Sequence, residues 1–202
     1  MKTGPPPPVK SKRAIANLAG DMVKRSGLVP RAGAVKFEMN GPPQQATLNS
    51  ADDVLWTSDI GGCSVVIIAS PTTAFAVHVA RGSMGIDAQG QYVHNGDEDQ
   101  MATTAVTDLM ALYNQHQAEA GTVKAMVITA DQGPDGDSVL NSLWAGLSTI
   151  PSKNYNTYDA WAIYHMPAGD AKRWAGQLQI RWVEGGHWPA VNLGDQCFEF
   201  PG

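Results

Sequence analysis

The chain is organised around Trp56–Ile68 (WTSDIGGCSVVII), which Ala74–Val79 (AFAVHV) closely follows. Each stretch contains a run of apolar and β-branched residues, the pattern of a buried or half-buried strand. Cys63 opens the first strand and His78 lies in the second, fifteen residues later. We therefore expect two neighbouring antiparallel strands that bring a thiol and an imidazole together.

A Cys–His pair of this kind suggests a thiolate nucleophile, because the imidazole accepts the thiol proton or stabilises the thiolate. Gly61 and Gly62 precede Cys63 and leave room for a substrate carbonyl. The backbone N–H groups of Gly62 and Cys63 are candidate oxyanion donors. The structural alternative is that Cys63 is a small buried hydrophobe and His78 a hydrogen-bonded core residue.

Residues 54–80 resemble the active-site segment of the papain-like glutamine deamidases. This superfamily includes the cytotoxic necrotizing factors, the Burkholderia lethal factor and the chemotaxis receptor deamidase CheD. Its members carry a Gly- or Ser-rich turn before the Cys, then a strand, then a His. This chain has Ile60-Gly61-Gly62-Cys63 and then His78, with Gly61 where the families have Ser.

The resemblance extends to Thr57, which lies six residues before Cys63. A Thr at this position completes the triad in two of the families. The resemblance implies a catalytic triad of Cys63, His78 and Thr57, in which the main-chain carbonyl of Thr57 orients the imidazole. It also implies an α+β fold and no cofactor. The implied activity is conversion of a glutamine side chain of a partner protein to glutamate. The resemblance further implies that the protein is a bacterial toxin or effector that acts on a host protein.

Under this hypothesis Cys63 attacks as thiolate, and His78 holds the positive charge and then protonates the leaving ammonia. A cysteine peptidase, or a transglutaminase in which an amine replaces water, remains open. So does a non-enzymatic binding module in which Cys63 and His78 are core residues. Exposure of Cys63 separates these interpretations, because the thiol of an enzyme must be reachable.

Composition is that of a folded domain. The 202 residues are 43% hydrophobic and 16% charged, with a net charge of −5. This length suits one domain and supplies enough apolar residues for a core. Nucleic acid is not expected as a partner, because phosphate binding needs clustered Lys and Arg. We expect a monomer, and the resemblance implies a protein substrate.

Charge divides the chain into a basic leader and an acidic remainder. Eight of the fourteen basic residues lie at or before Lys36, and the remainder holds six basic and eighteen acidic residues. We predict a basic, Pro-rich leader with a helix over 1–27, and a single catalytic domain over 28–202. The leader has several open interpretations: contact with the acidic face, contact with an anionic surface, an export or docking segment, or a solvated tail.

Targeting signals are not apparent. Pro5–Pro8 stand where a secretory signal would have its apolar core, and no run approaches eighteen apolar residues, so no membrane span is expected. We expect cytoplasmic synthesis without a cleavable signal, compatible with export and action in a host cytosol. Cys197 is interpreted as structural. A disulfide from Cys63 to Cys197 would consume the nucleophile and competes with the enzyme hypothesis.

The remaining patterns predict an α+β fold, a layered mixed or antiparallel sheet or sandwich flanked by helices. We predict a hairpin from 34–39 and 44–48, a Gly-rich polar loop over 81–96, and helices to about 118 and over 138–147. Further strands are predicted over 54–58, 63–69, 74–79, 123–129, 158–165, 177–183, 190–193 and 196–200.

No metal site is predicted. Asp131, Asp135 and Asp137 resemble a calcium loop, but Ser142 stands where the closing Glu is required. His165 and His187 lack partners at ligand spacing. Separately, Trp56 and Trp188 are large packing residues that could instead wall a cleft.

Overall fold

Two β-sheets pack face to face, and a long helix covers the outer surface of one of them. The computed structural model describes residues 33–60, 63–80, 84–86, 92–94, 98–130, 142–143, 145–148, 150, 161–164, 176–185 and 187–200. These residues lie within one compact unit, Arg31–Gly202.

The described elements are, in chain order, β1 (Ala34–Lys36), β2 (Gln44–Thr47), β3 (Val54–Ile60), β4 (Ser64–Ala69), β5 (Thr73–Val79), β6 (Met84–Ile86), β7 (Tyr92–His94), α1 (Glu98–Ala120), β8 (Lys124–Ala130), β9 (Trp161–Tyr164), β10 (Gly176–Arg181), β11 (Ala190–Leu193) and β12 (Gln196–Phe198). The first sheet has the order β1–β3–β10–β11–β12 and the second β2–β5–β4–β8–β9. β6 and β7 pair separately.

Strands β4 and β5 form the centre of the second sheet, and every residue in both is buried. They pair antiparallel, with Val65 opposite His78 and Ile67 opposite Ala76. Both faces of these strands are covered, which explains their continuous apolar runs. The predicted antiparallel neighbours at Cys63 and His78 are therefore confirmed.

The space between the two sheets holds the main core. Val65 and Ile67 from β4 pack there with Leu55 of β3 and with Leu178 and Ile180 of β10. Each fully buried aliphatic side chain contributes about 1.5–3 kcal/mol relative to an exposed one. Alternation along β3 and β5 points Thr57 and His78 into this same space.

A second core lies between the second sheet and α1. The side chains that meet there include Val66, Ile68, Val77, Ala102, Val106 and Leu109. The Phe75 and Tyr113 rings pack edge to face, with centroids 5.7 Å apart and planes at 83°. Among the described helices, α1 included, none is long and apolar enough to cross a membrane.

The segment after β1 crosses from one sheet to the other. Phe37 N–H donates to the Trp56 carbonyl in the first sheet across 2.9 Å, and Met39 forms a bridge with His78 in the second. β1 pairs parallel with β3, whereas β2 pairs antiparallel with β5. The predicted hairpin is therefore wrong, because alternating apolar residues specify a buried face but not the partner strand.

The interpretation of 81–96 as a polar loop is also wrong in part. Met84–Ile86 and Tyr92–His94 form a two-stranded antiparallel pair, with Met84 opposite His94. Each strand has only three residues, too few for alternation to distinguish it from a loop.

The predicted α+β layered fold is confirmed. The predicted helix ending near 118 extends to Ala120, and the predicted strands within the described ranges are present with shifted ends. The leader over 1–27, the loop over 131–137 and residues 138–141 of the second predicted helix lie outside the described residues.

We predict that Gly146→Ala lowers the free energy of unfolding by about 1–3 kcal/mol, the usual cost of overpacking. Gly146 lies in a short helical stretch beside α1, and a Cβ there would overlap the Val106 side chain. Urea denaturation of the purified protein measures the change.

Val106→Ala provides the matched control for that prediction. In the Gly146→Ala background it removes the overlapping methyl groups, so the double variant should lose less stability than the sum of the two single variants. Additive losses would contradict the close approach of this helical stretch to α1.

Candidate active site

His78 is the buried titratable residue at the centre of the candidate site. It lies near the end of β5, between β2 and β4 in strand order, and its side chain is 0% exposed. Ala74 and Ala76 precede it on the same strand face. Their short side chains leave the larger imidazole room between the two sheets.

Thr57 meets His78 across the space between the sheets. Thr57 Oγ1 lies 2.9 Å from His78 Nδ1, and both side chains are buried. The same hydroxyl lies 3.5 Å from the Ser58 carbonyl oxygen. With the proton on Nδ1, the ring donates to the hydroxyl and the hydroxyl donates onward to Ser58. This tautomer leaves Nε2 with a free lone pair.

This contact corrects the role that the resemblance implied for Thr57. The side-chain hydroxyl contacts the imidazole, so assigning that contact to the main-chain carbonyl was wrong. Strand carbonyls lie approximately in the plane of their sheet, whereas the side chain projects from it. Only the Thr57 side chain is therefore directed toward the facing sheet.

The second nitrogen of His78, Nε2, is buried and has no hydrogen-bond partner in the described part of the chain. Buried polar atoms are nearly always paired, and an unpaired one is destabilising. An unpartnered nitrogen on a fully buried ring is therefore a feature that needs a functional explanation.

Cys63 shares the inner sheet face with His78. It lies one residue before β4, and the pairing of Val65 with His78 makes Cys63 the diagonal neighbour of the histidine. Diagonal neighbours in antiparallel sheets have Cα atoms about 7–8 Å apart. The structure thus places Thr57, His78 and Cys63 in one region, and joins the first two by a hydrogen bond.

The Cys63 side chain is only 7% exposed. Its Sγ lies 3.8 Å from Sδ of Met39, a residue that the sequence analysis did not select. Neither cysteine belongs to a disulfide, so the competing Cys63–Cys197 bridge is not formed. Cys197, interpreted as structural, is exposed and pairs with Asn192 in the last strand of the first sheet. Gly61 and Gly62, with the predicted Gly62 oxyanion donor, lie outside the described residues.

Asn40 holds the end of β5 that carries His78. Its N–H donates to the His78 carbonyl across 2.8 Å, and its Oδ1 accepts from Ala80 N–H at 2.9 Å. Its φ of +54° lies in the left-handed region, which asparagine tolerates better than most residues. The sequence Asn40-Gly41 indicates a turn, but nothing local shows that the turn lies beside His78.

Burial lowers the pKa of His78 to about 4, and the nearby carboxylates of Asp59 and Glu38 partly oppose that shift. At neutral pH the imidazole is therefore neutral. This differs from the imidazolium expected in the resting site. In the tautomer that carries the proton on Nδ1, the neutral ring has a lone pair on Nε2 and can accept a proton there.

Trp56 and Trp188, the two tryptophans considered as cleft walls, do not lie beside His78. Trp56 lies on the outer face of the first sheet by alternation, with Lys36 Nζ 5.3 Å from its ring centroid. Trp188 packs on Phe200, with ring centroids 5.8 Å apart. Neither is positioned to line the space around His78.

A cavity of about 380 Å³ lies between the turn at Asn40 and the first half of α1. Its lining residues are Asn40, Gly41, Gln100, Met101, Thr104, Ala105 and Asp108. Neither Cys63 nor His78 is among the described residues that line it. Among the described residues, no group of three or more His, Cys, Asp or Glu side chains is placed to hold a metal ion.

The comparisons with known proteins give structural similarity only. No protein-family model matches the chain, and no curated protein does. Among solved structures, the chain is similar to the C-terminal domain of CNFy from Yersinia pseudotuberculosis, with 10% identity and a TM-score of 0.39. The match covers 83% of this chain and 60% of that one.

We predict that His78 makes stability depend on pH between about 6.5 and 4. The unfolded state takes up a proton near 6.5, whereas the folded state stays neutral until about 4. Stability from this group is therefore complete above pH 6.5 and falls by about 3 kcal/mol as the pH is lowered to 4. Urea denaturation across this range measures it.

His78→Gln should remove that part of the pH dependence. His116→Gln is the matched control, because His116 is a second histidine that is only partly buried, on α1 beside Glu119. It should retain the part of the dependence that His78 contributes. Equal pH slopes for wild type and His78→Gln would contradict a neutral buried imidazole.

We also predict that Thr57→Val destabilises the fold by about 1–3 kcal/mol, since it leaves a buried nitrogen without its partner. Thr57→Ser keeps the hydroxyl and should retain the bond. Nitrogen NMR of the imidazole should show a protonated Nδ1 in the wild type and in Thr57→Ser. The same signal in Thr57→Val would show that the hydroxyl does not hold the tautomer.

Proposed function

We propose that this chain is a thiol-dependent amidohydrolase that converts a glutamine side chain of a partner protein to glutamate. The observation that carries this proposal is the buried imidazole of His78. Thr57 binds its Nδ1, and its Nε2 is left without a partner on the sheet face that carries Cys63. Nε2 makes no hydrogen bond to the Cys63 thiol in this structure. The shared sheet face supports the proposal because nucleophilic catalysis by a thiol needs a base within reach of it.

The first half-reaction forms a thioester. The Cys63 sulfur attacks the carboxamide carbon while its proton moves to His78 Nε2. The C–N bond of the tetrahedral intermediate then breaks, and Nε2–H protonates the departing nitrogen, so that ammonia leaves. In the second half, water attacks the thioester, His78 takes the water proton, and the proton returns to sulfur as the glutamate side chain is released.

The electrostatics around His78 suit this cycle. The ring is neutral at rest because burial disfavours its charge. Once it accepts the thiol proton, the carboxylates of Asp59 and Glu38 favour the imidazolium. Thr57 acts as a positioning residue, because its hydroxyl occupies Nδ1 and leaves Nε2 as the nitrogen available for proton transfer.

The substrate class rests on the resemblance of residues 54–80 to the glutamine deamidases. On the same basis we propose a bacterial toxin or effector that acts on a host protein. A primary amine in place of water would yield a cross-linked product from the same thioester. The burial of Cys63 and His78 supports a second candidate, a non-enzymatic binding module in which both are core residues.

Mass spectrometry of host-cell proteins incubated with the purified chain tests the proposal. We expect glutamine-containing peptides to gain the mass difference between an amide NH2 and OH. Cys63→Ser should lower turnover by roughly 10³-fold or more, as loss of a nucleophile does in comparable enzymes.

Cys197→Ser is the matched control, since it removes an exposed thiol remote from His78 in strand order. It should retain wild-type turnover. Equal turnover in wild type and Cys63→Ser would end the thiol mechanism. An absence of modified glutamine in any candidate host protein would favour the binding module.

A further inference from the structure

The turn between the two sheets places a methionine against the proposed nucleophile. Gly41 N–H donates to the Glu38 carbonyl across 3.0 Å, which closes a β-turn with Met39 as its second residue. Met39 Sδ lies 3.8 Å from Cys63 Sγ, so the two sulfur atoms are in contact.

Met39 is an exposed side chain in contact with a buried thiol. Its side chain is 48% exposed, whereas Cys63 is 7% and His78 is 0% exposed. A large apolar side chain at the surface is not itself unusual. This one touches the thiol, so rotation of the flexible Met39 side chain would uncover Cys63.

The backbone of the turn is held independently of that side chain. Asn40 forms hydrogen bonds with His78 O and Ala80 N–H, and Met39 forms a bridge with His78. The turn is therefore docked along β5 as a short additional strand would be. An extended ligand segment can bind a sheet edge in the same way.

Methionine and glutamine have the same unbranched stem of two methylene groups. The next atom is the thioether sulfur in methionine and the carboxamide carbon in glutamine. Met39 Sδ therefore marks the place where a glutamine on this turn would put its reactive carbon, 3.8 Å from Cys63 Sγ. Reacting atoms in productive complexes lie about 3–3.5 Å apart.

We propose that Met39 is an internal mimic of the substrate glutamine, and that it occupies the substrate position until a partner displaces its side chain. This inference rests on the proposed function and deepens it. The substrate is a glutamine exposed at the second position of a β-turn on the partner protein. Its side chain enters over His78 along the path that Met39 now fills.

The test is the variant Met39→Gln, which carries its own substrate. Cys63 Sγ bonds to the introduced carboxamide carbon, its proton passes through His78 Nε2 to the leaving ammonia, and water hydrolyses the thioester. The net reaction consumes one water and yields glutamate and ammonia. Peptide mass spectrometry of the purified variant over several hours should show conversion at position 39 in most molecules.

Controls for this reaction lie in the same chain. Gln44 and Gln45 belong to β2, opposite Ala76 and Phe75, and should stay unmodified. Met39→Gln combined with Cys63→Ser should show no conversion. Conversion at position 39 that persists without the thiol, or no conversion with the thiol intact, would overturn the inference.

A second measurement requires no enzymatic activity. Met39→Ala should raise the rate of Cys63 alkylation by iodoacetamide about tenfold or more relative to the exposed Cys197, since access limits thiol reactivity. Met39→Leu keeps the bulk and should stay near the wild-type ratio. Equal ratios in wild type and Met39→Ala would show that Met39 does not cover the thiol.

The experiments can refute the Met39 mimic and the deamidase function independently of each other. Conversion of host glutamines by the wild type, without conversion at position 39 in Met39→Gln, would overturn the mimic and leave the deamidase intact. Conversion at position 39 without any host substrate would support the thiol chemistry and the mimic, and would count against the proposed host-protein function.

Discussion

The hydrogen bond between Thr57 and His78 joins the two sheets through the interior of the domain. An imidazole buried between sheets is costly unless its nitrogens are paired. The first sheet supplies one partner and leaves Nε2 open. This single contact determines which ring nitrogen is available for proton transfer. It also requires that the sheets keep their relative position, because a small shift would remove the hydroxyl from Nδ1.

The pairing of β4 with β5 determines where Cys63 lies relative to His78. Every residue in both strands is buried, so a slip of one residue would move all side chains of the shifted strand to the other face. Such a slip of β5 would direct His78 toward α1, and such a slip of β4 would bring Val66 and Ile68 into the space between the sheets. Packing on both faces thus specifies the register that makes Cys63 the diagonal neighbour of His78.

The segment 37–41, which crosses from the first sheet to the second, links the architecture of the domain to the accessibility of the Cys63 thiol. Its backbone leaves the first sheet beside Trp56 and reaches β5 at His78. The same few residues therefore link the two sheets and bring Met39 into contact with Cys63. Hydrogen bonds through Asn40 hold the backbone, whereas the methionine side chain has three rotatable bonds. The backbone of the turn is therefore held in place, while the Met39 side chain over the thiol can rotate.

The sequence by itself determined the strands around Cys63 and His78, the helix beyond Gln100 and the layered α+β class, because local apolar periodicity encodes burial. Thr57 was marked only by the resemblance of residues 54–80 to a known family, not by any periodic pattern. Only tertiary structure decided that the Thr57 hydroxyl holds His78, that β1 and β2 belong to different sheets, and that Met39 covers the thiol. Each of these depends on contacts between residues distant in the chain, and such contacts leave no periodic signal in the segments that make them.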